Sequence, residues 1–275
     1  MGAKLHFTKM HGAGNDFIVV EPVAASFLNH NFAIEERQEL IRSVCNRHFG
    51  VGADGFMLVA SERHGEVSME YYNADGHPAS FCGNGARCVA RYAVEHGWTE
   101  SEGVIHSPVG DVSFRILPSG DVAIHMPNAA QPRFDVQLGG YLVDTGVPHF
   151  VKEERFSDDE AFCAWAKPLR WGVQRELGGV NVNAYYVEEG EVHLRTYERG
   201  VEGETLACGT GAVATALSIA VGSGEAEGSV TLYPRGGRLE VAYALGADGK
   251  NFECIWLSGG AERIAEGDFY YRKGK

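Results

Sequence analysis

The sequence has few basic side chains and no long apolar run. It carries 24 Lys and Arg against 37 Asp and Glu in 275 residues, so the formal net charge is −13. Binding to nucleic acid or to an anionic membrane needs clustered basic side chains, so neither partner is predicted. No stretch approaches the roughly 20 apolar residues of a transmembrane helix. The N-terminus also lacks the apolar core of a signal peptide.

Cysteine is sparse, with six residues in the whole chain, which argues against a disulfide scaffold. No two cysteines form a CxxC pair, so no metal site is predicted. We therefore expect a reduced, cytoplasmic protein. Two Gly-x-Gly turns begin at Gly83 and Gly209, but both lack the third glycine of a dinucleotide-binding fingerprint. No lysine lies in a Schiff-base motif, so no cofactor is predicted.

One short phrase occurs twice. The first copy is FCGNGAR at 81–87, and the second is ACGTGAV at 207–213. Each copy has a cysteine directly before Gly-polar-Gly-Ala, followed by a stretch compatible with a helix. Other landmarks recur in the same order at nearly the same offset: a glycine turn between two strands, then a helix, then a strand that ends in a polar turn. The sequence therefore predicts an internal duplication.

The predicted fold is α/β (α+β), with two pseudo-symmetric domains that each wrap a curved, mainly antiparallel sheet around a central helix. The helix predicted at 209–221 is almost wholly small and apolar, which is typical of a helix buried on all sides. Most connections are too short for repeated βαβ crossovers, which favours antiparallel pairing. The polar, proline-containing segment 127–140 is the predicted boundary, and segment 262–272 is expected to return to the first sheet. The expected domains are 1–127 plus 263–275, carrying Cys82, and 128–262, carrying Cys208.

Helix boundaries are predicted from periodicity and capping patterns. Apolar residues at helical spacing predict a helix over 35–48, which Gly50 would end. A second helix is predicted over 82–96. In the second half, Ser157 and Glu160 form a capping-box pattern ahead of a helix that Pro168 is expected to close.

The chemistry of the repeated phrase follows from its place at a helix start. Unpaired N–H groups and the helix dipole favour a thiolate over a thiol, so Cys82 and Cys208 are candidate acids and bases. The same N–H groups can bind a carboxylate. If both phrases line one cleft between the domains, one thiolate and one thiol can invert a carbon stereocentre without a cofactor.

Four motifs give the chain a family resemblance: KMHGAGNDF (9–17), NADG (73–76), CGNGAR (82–87) and ERGVEGETLACGTGA (198–212). Together they strongly resemble diaminopimelate epimerase, of the pyridoxal-independent epimerase and racemase group. The resemblance implies interconversion of LL- and meso-diaminopimelate in lysine and peptidoglycan-precursor synthesis. It also implies two domains and a homodimer.

The same resemblance implies roles for individual residues. Cys82 and Cys208 would be the catalytic acid and base, and His149 and Glu198 would tune the pKa of the thiols. Asn15 and Glu198 would meet the reacting-end ammonium. The remaining substrate contacts are to the reacting carboxylate (Gly83, Asn84, Gly209 and Thr210) and to the distal end (Asn73, Asn183 and Arg199).

The chain departs from the family pattern at three places. Val147 stands where the family often has Asn, and Gly55 stands where it can have Gln. Positions 201–203 contain one residue more than the common ERGAGET motif. Two of these changes remove possible polar contacts, so recognition of the distal end of the substrate is where we expect this chain to differ.

Three other functions are compatible with parts of the pattern. A proline or hydroxyproline racemase also uses two cysteines, although the NADG, ERG and ACGTG motifs point away from it. A thiol–disulfide enzyme would pair Cys82 with Cys208, and a non-catalytic amino-acid binder would need neither thiol. The other four cysteines are interpreted as small core residues: Cys45, Cys88, Cys163 and Cys254.

Overall fold

The computed structural model describes residues 3–21, 34–79 and 81–271. The chain divides into two compact units, Met1–Ile124 with Gly260–Lys275, and His125–Gly259. The boundary thus comes just before the segment expected to contain it. The extreme ends of the expected first domain, residues 1–2 and 272–275, lie outside the described residues.

The described residues form nineteen strands and four α-helices. In chain order the strands are β1 (Ala3–Gly12), β2 (Asn15–Val20), β3 (Gly55–Ser61), β4 (Val67–Asn73), β5 (Pro78–Ala79), β6 (Glu102–Ser107), β7 (Gly110–Ile116), β8 (Val122–His125), β9 (Ala129–Ala130), β10 (Arg133–Asp135), β11 (Gly140–Asp144), β12 (Pro148–Glu153), β13 (Asn181–Glu188), β14 (Glu191–Glu198), β15 (Gly203–Thr205), β16 (Glu227–Pro234), β17 (Leu239–Leu245), β18 (Asn251–Gly259) and β19 (Glu262–Tyr271). The helices are α1 (Ile34–Cys45), α2 (Gly83–Glu95), α3 (Asp159–Gly172) and α4 (Gly209–Ser223).

Strand pairing in the first unit is antiparallel except at two places. β1 pairs with β2, β3 with β4, β4 with β5, and β6 with β7, all antiparallel. The parallel pairs are β2–β3 and β4–β6. The chain between each parallel pair contains a helix, α1 in the first case and α2 in the second, because parallel neighbours need a long crossover.

The second unit repeats this pattern strand for strand. β11–β12, β13–β14, β14–β15 and β16–β17 are antiparallel, while β12–β13 and β14–β16 are parallel. Helices α3 and α4 occupy the two crossovers. Strands β1 to β7 therefore correspond to β11 to β17, which is the topology of a duplicated domain.

The last strand, β19, belongs to the first unit. It pairs antiparallel with β1 along most of its length, from Ala3↔Tyr271 to His11↔Glu262. The expected return of the C-terminal segment to the first sheet is therefore confirmed. In the second unit the equivalent edge is covered by β10, which pairs with β11.

Each unit has one central helix and one outer helix. Helix α2 packs against β1, β2, β3, β4, β6 and β7, and α4 packs against β11, β12, β13, β16, β17 and β18. The polar side chains inside α4 are satisfied by the helix itself, since Thr215 Oγ1 donates to Gly211 O and Ser218 Oγ donates to Ala214 O, both at 2.8 Å. Within the described part of the chain, no helix is long and apolar enough to cross a membrane.

The first helix ends earlier than predicted. It stops at Cys45 instead of His48 because Asn46 forms a local turn: its Oδ1 accepts hydrogen bonds of 2.9 Å from the N–H groups of His48 and Phe49. A short polar side chain that binds the backbone in this way competes with the helix. The N–H group of Gly50 then donates to Asn46 O, just after the end of the helix.

The third helix differs from prediction at both ends. Its N-cap is Asp158, whose Oδ1 accepts from Ala161 N–H at 2.7 Å, so the predicted Ser157–Glu160 capping box is not formed. Pro168 lies inside the helix, which continues to Gly172. The last turn is held by the buried Arg170, whose Nη1 donates to Gly178 O at 2.7 Å.

Candidate active site

Cys82 is the N-cap of α2, and Cys208 is the N-cap of α4. Both have extended backbone angles, φ −140° and ψ 115° at Cys82 and φ −119° and ψ 112° at Cys208. The carbonyl of each cysteine accepts the first helical hydrogen bond, from Ala86 N–H at 2.8 Å and from Ala212 N–H at 2.9 Å. The two thiols therefore occupy equivalent positions at the positive ends of two helices.

Around Cys82, two asparagine side chains form a short network. Cys82 Sγ lies 3.5 Å from Asn15 Oδ1, which also accepts from Asn84 Nδ2 at 3.3 Å. Asn15 Nδ2 donates to Asp54 Oδ2 at 2.9 Å. The predicted site residues Asn15, Cys82 and Asn84 are thus brought together at the start of α2.

Behind Asn15 lies a cluster of four charges. Arg47 donates to Asp16 through Nη1 and Nη2, at 3.1 and 2.8 Å, and to Asp54 through Nη2 at 2.6 Å. Lys9 Nζ lies 3.0 Å from Asp16 Oδ2. Although burial opposes the shift, hydrogen bonds from Arg47 and Lys9 lower the pKa of Asp16 to about 2. Asp16 is therefore ionised at neutral pH, and Asp54, which Arg47 holds in place, accepts from Asn15.

Beside Cys208 lies the hydroxyl group of Thr210. Cys208 Sγ lies 3.4 Å from Thr210 Oγ1, and Thr145 Oγ1 donates to Thr210 O at 3.1 Å. Cys208 is buried, whereas Cys82 is half-buried. Thr145 was not among the predicted residues; it lies in the glycine turn before β12, whose importance the sequence did show.

The second glycine of each phrase is used for packing of the helix on the sheet. A Cβ on Gly85 would collide with Met57 Cε of β3, and a Cβ on Gly211 would lie 2.5 Å from Asn183 Oδ1 of β13. These two glycines allow each central helix to start directly against a strand.

His149 is fully buried and lies between two asparagine amides. Asn183 Nδ2 donates to His149 Nδ1 at 3.0 Å, and Asn181 Nδ2 lies 3.4 Å from Nε2. Asn183 Oδ1 accepts from Thr196 at 3.0 Å, and Asn181 Oδ1 accepts from Arg199 N–H at 2.7 Å, so both amides turn their NH2 groups toward the ring. Burial lowers the pKa of His149 to about 3, and the charge of Arg199 acts in the same direction. His149 is therefore a neutral imidazole at neutral pH.

Asn181 was not predicted as a site residue. It alternates with Asn183 along β13, so both side chains lie on one face of the strand. The signal in the sequence was the Asn-Val-Asn alternation, but period-2 spacing alone does not distinguish the two asparagines. The structure does, because Asn181 accepts from Arg199 N–H, while Asn183 donates to His149 and accepts from Thr196.

Glu198 and Arg199 come at the end of β14. Glu198 is half-buried, and burial raises its pKa above the ordinary value. Arg199 Nη1 donates to two carbonyl oxygens, of Leu177 at 3.1 Å and of Gly179 at 3.3 Å. A carboxyl group whose pKa is raised toward neutrality can exchange a proton with a nearby acid or base more readily than an ordinary Glu.

The turn after Arg199, which contains the extra residue at positions 201–203, is held by an ion pair of Glu202 with Arg170. Glu202 takes the left-handed conformation, with φ 57°, and its Oε1 accepts from Arg170 Nε at 3.1 Å and Nη2 at 2.8 Å. Arg170 also binds the carbonyl of Gly178. Arg170 thus links the turn after Arg199 to the segment that Arg199 itself contacts.

The remaining predicted positions are at strand ends. Asn73 is exposed at the end of β4, where its backbone closes a turn with Gly76 and His77. Gly55 is buried, and a Cβ there would lie 2.6 Å from the ring of Tyr71. Tyr71 thus fills the space that a side chain at position 55 would take.

The other cysteines differ from Cys82 and Cys208 in place and in chemistry. Cys45 and Cys88 are buried, and burial raises the pKa of each thiol to about 12. Cys163 is half-buried on α3, and Cys254 is exposed on β18.

The sequence model of the diaminopimelate epimerase family matches residues 7–131 and 141–260. The chain belongs to the diaminopimelate epimerase family. Diaminopimelate epimerases of Methanocella arvoryzae and of Archaeoglobus fulgidus are each 33% identical to it, and each match covers 96% of both chains. The family resemblance and the prediction of an isomerase are both confirmed.

Solved structures outside the diaminopimelate epimerase family share the fold. A phenazine biosynthesis protein of the PhzF family from Bacillus anthracis superposes with a TM-score of 0.70 at 14% identity, covering 96% of this chain and 98% of that one. A probable proline racemase from Agrobacterium radiobacter gives a TM-score of 0.67 at 16% identity, covering 96% and 92%. The predicted fold class, an α/β duplication built on curved sheets around helices, is confirmed.

Proposed function

We propose that this chain interconverts LL- and meso-diaminopimelate by two-base proton transfer at one Cα, with Cys82 and Cys208 as the bases. The observation that carries the proposal is the pair of cysteine N-caps at equivalent helix starts, in a member of the diaminopimelate epimerase family. The pathway that we propose is lysine and peptidoglycan-precursor synthesis, in the cytoplasm, without a cofactor.

In the proposed reaction a single substrate molecule engages both helix starts. The thiolate of one cysteine removes the Cα proton, and the electron pair moves toward the substrate carboxylate. The thiol of the other cysteine then gives its proton to the opposite face of Cα, so that one thiol and one thiolate are regenerated with exchanged roles. The N–H groups at the helix starts, at Gly83, Asn84, Gly209 and Thr210, would stabilise the negative charge that develops on the carboxylate.

Neighbouring side chains support these steps in the proposal. Asn15, with its Oδ1 beside Cys82, offers an acceptor for the reacting-end ammonium. Glu198, whose pKa is raised by burial, would accept or return protons at the thiols, and His149 would act as a neutral imidazole. Arg199 and Asn73 would hold the distal end. Asn183 is fully buried with its amide bonded to three groups, so we assign it the positioning of His149 in place of the predicted substrate contact.

The test is deuterium uptake at Cα in D2O. Wild-type protein should exchange LL-diaminopimelate, and Cys82→Ala and Cys208→Ala should each lose epimerisation by at least about 1,000-fold, because each removes one of the two proton carriers. Cys254→Ser is the matched control, because it removes an exposed thiol on β18. Its activity should equal that of wild type.

Two results would contradict the proposal. The first is epimerisation that is unchanged by either active-site substitution or absent from the wild-type protein, which would indicate another base or a binding protein, respectively. The second is exchange of proline but not of diaminopimelate, which would favour a racemase function. Purified protein should be kept reduced, and recovery of activity on reduction separates a by-product disulfide from a redox function.

A further inference from the structure

A buried arginine lies behind the Cys82 helix start. Arg87, on the second turn of α2, has no exposed surface and is among the largest fully buried side chains described. Its Nη2 donates to Asn84 Oδ1 at 2.9 Å, but Nε and Nη1 have no hydrogen-bond partner within the described residues. Among those residues, no carboxylate forms an ion pair with Arg87. A buried, unpaired guanidinium is costly and is therefore uncommon in proteins.

The guanidinium sits at the N-terminal end of the helix. Side chains of a helix point back toward its N-terminus, so Arg87 reaches the first turn, where it contacts Asn84. Gly12 at the end of β1 leaves room for it, since a Cβ on Gly12 would lie 3.4 Å from Arg87 Nη2 and 2.8 Å from Asn84 O. The positive charge thus lies within the same turn of helix that Cys82 caps.

Arg87 and Asp54 fix the orientations of the Asn84 and Asn15 side-chain amides. Arginine can only donate hydrogen bonds, so it fixes Asn84 with Oδ1 toward Arg87 and Nδ2 toward Asn15. The carboxylate of Asp54 is held by Arg47 and accepts from Asn15 Nδ2, so Asn15 Oδ1 faces Asn84 and Cys82. Each of the two amides near Cys82 is therefore oriented by a charged partner, a donor for Asn84 and an acceptor for Asn15.

The electrostatic surroundings leave Cys82 and Asp121 as the anions that Arg87 can stabilise. Burial lowers the pKa of Arg87, while attraction to the thiolates of Cys88 and Cys82 and to Asp121 opposes that shift. Cys88 is itself buried, and its pKa of about 12 keeps it a thiol. The charges around Asn15 pair among themselves: Lys9 and Arg47 with Asp16 and Asp54.

The duplicated helix lacks this cation. Position 213, which corresponds to Arg87 in the repeated phrase, is Val213, and it is buried at 1% exposure. At this helix position the buried charge is therefore present in α2 and replaced by an apolar side chain in α4.

We propose that Arg87 is a positioning residue that favours the thiolate of Cys82 and orients Asn84 for the reacting carboxylate. This inference rests on the proposed function for its meaning, because it makes Cys82 the cysteine that is more fully ionised to the thiolate in the free protein, ready to remove the Cα proton. It adds a residue that need not touch the substrate to the groups that control the reaction.

The test is the pH dependence of Cys82 alkylation by iodoacetamide, followed by mass spectrometry of the Cys82 peptide. Arg87→Met should move the midpoint upward by at least about 1 pH unit, since an opposite charge nearby changes a pKa by about 1 to 3 units. Arg87→Lys, which keeps the charge, should recover most of that shift. Arg91→Met is the matched control, one turn further along α2, where the side chain binds Gly120 O; its midpoint should equal that of wild type.

A second measurement needs no change at Arg87. The NMR signal of the Arg87 side chain in wild-type protein should move with pH at the alkylation midpoint of Cys82, and this movement should vanish in Cys82→Ser. The inference is overturned if the Arg87→Met midpoint equals that of wild type, or if the Arg87 signal does not follow Cys82. Because neither measurement uses a substrate, they distinguish failure of this inference from failure of the proposed epimerase reaction.

Discussion

Asp16 and His149 occupy the same place in the two units, as the second residues of β2 and β12. Both side chains are nearly or fully buried directly after the glycine turn. Asp16 is an anion, held by Arg47 and Lys9. His149 is neutral, and its Nδ1 accepts a hydrogen bond from the Asn183 amide. After duplication, one copy of this position came to depend on charge pairing, and the other came to depend on neutral hydrogen bonds.

The same contrast continues at the two helix starts. Cys82 has the cation Arg87 behind it, whereas the equivalent Val213 behind Cys208 is apolar. Under Gly85 lies the flexible side chain of Met57, and under Gly211 lies Asn183, which is fixed by three hydrogen bonds. Equal backbone topology thus supports two thiols in unequal surroundings.

The largest effect should come from filling the space under the second glycines. Gly211→Ala places a methyl group 2.5 Å from Asn183 Oδ1 and should lower the free energy of unfolding by about 2 to 3 kcal/mol. Gly85→Ala meets only the end of Met57, which can move, so its loss should stay below about 1 kcal/mol. Urea denaturation, read for each unit by hydrogen exchange of its own peptides, measures both. Equal losses in the two variants would contradict the proposed difference in rigidity.

As pH falls, the second unit should lose stability at a higher pH than the first. The pKa of His149 falls from 6.5 to about 3 on folding, so below pH 6.5 the unfolded chain takes up a proton that the folded chain does not. The free energy of unfolding should therefore decrease as pH falls through this range, by about 2 kcal/mol between pH 7 and pH 5. Asp16 shifts from 3.8 to about 2, so its contribution is present above pH 3.8 and is lost only as pH falls toward 2.

His149→Gln should remove this loss, so that the free energy of unfolding no longer decreases between pH 7 and pH 5. Urea denaturation at each pH measures the slope, and the range from pH 7.5 to 8.5, where His149 is neutral in both states, is the internal control. A wild-type slope retained in His149→Gln would show that another group is responsible.

The smallest of the three effects should come from the turn after Arg199, which contains the extra residue. Glu202→Ala removes the partner of the buried Arg170 and should cost about 1 to 2 kcal/mol of unfolding free energy, reduced from a fully buried pair because Glu202 is partly exposed. It should also raise KM more than it lowers kcat, since the turn adjoins Arg199. Glu176→Ala, an exposed acidic residue of the same unit, is the control. Unchanged stability and KM would show that the extra residue is a passive insertion.

Much of the fold could be predicted because the duplication repeats each motif and element pattern in the second half of the sequence. The two cysteines, the central helices and the return of β19 could be inferred from repetition and from periodicity. The end of α1 could not, because it depends on whether the Asn46 side chain binds the backbone or solvent. Pro168 could not be placed inside α3 either, because contacts of Arg170 with residues 178 and 202 hold the last turn.

The candidate site shows the same limit more sharply. Asn181 and Asn183 have the same residue type and the same strand face, so only their partners, Arg199 and Thr196, separate their parts. Arg87 is an ordinary helix residue in the sequence, where arginine normally predicts a solvent-exposed side chain.

The amino-acid sequence by itself determined the family, the duplicated topology and the two cysteines at helix starts, because these depend on local pattern and on its repetition. Only the tertiary structure decided that one thiol has a buried cation behind it, and that His149 is a neutral ring between two amides. The physical reason is that charge state and amide orientation depend on burial and on partners distant in the chain. A single residue type does not specify either one.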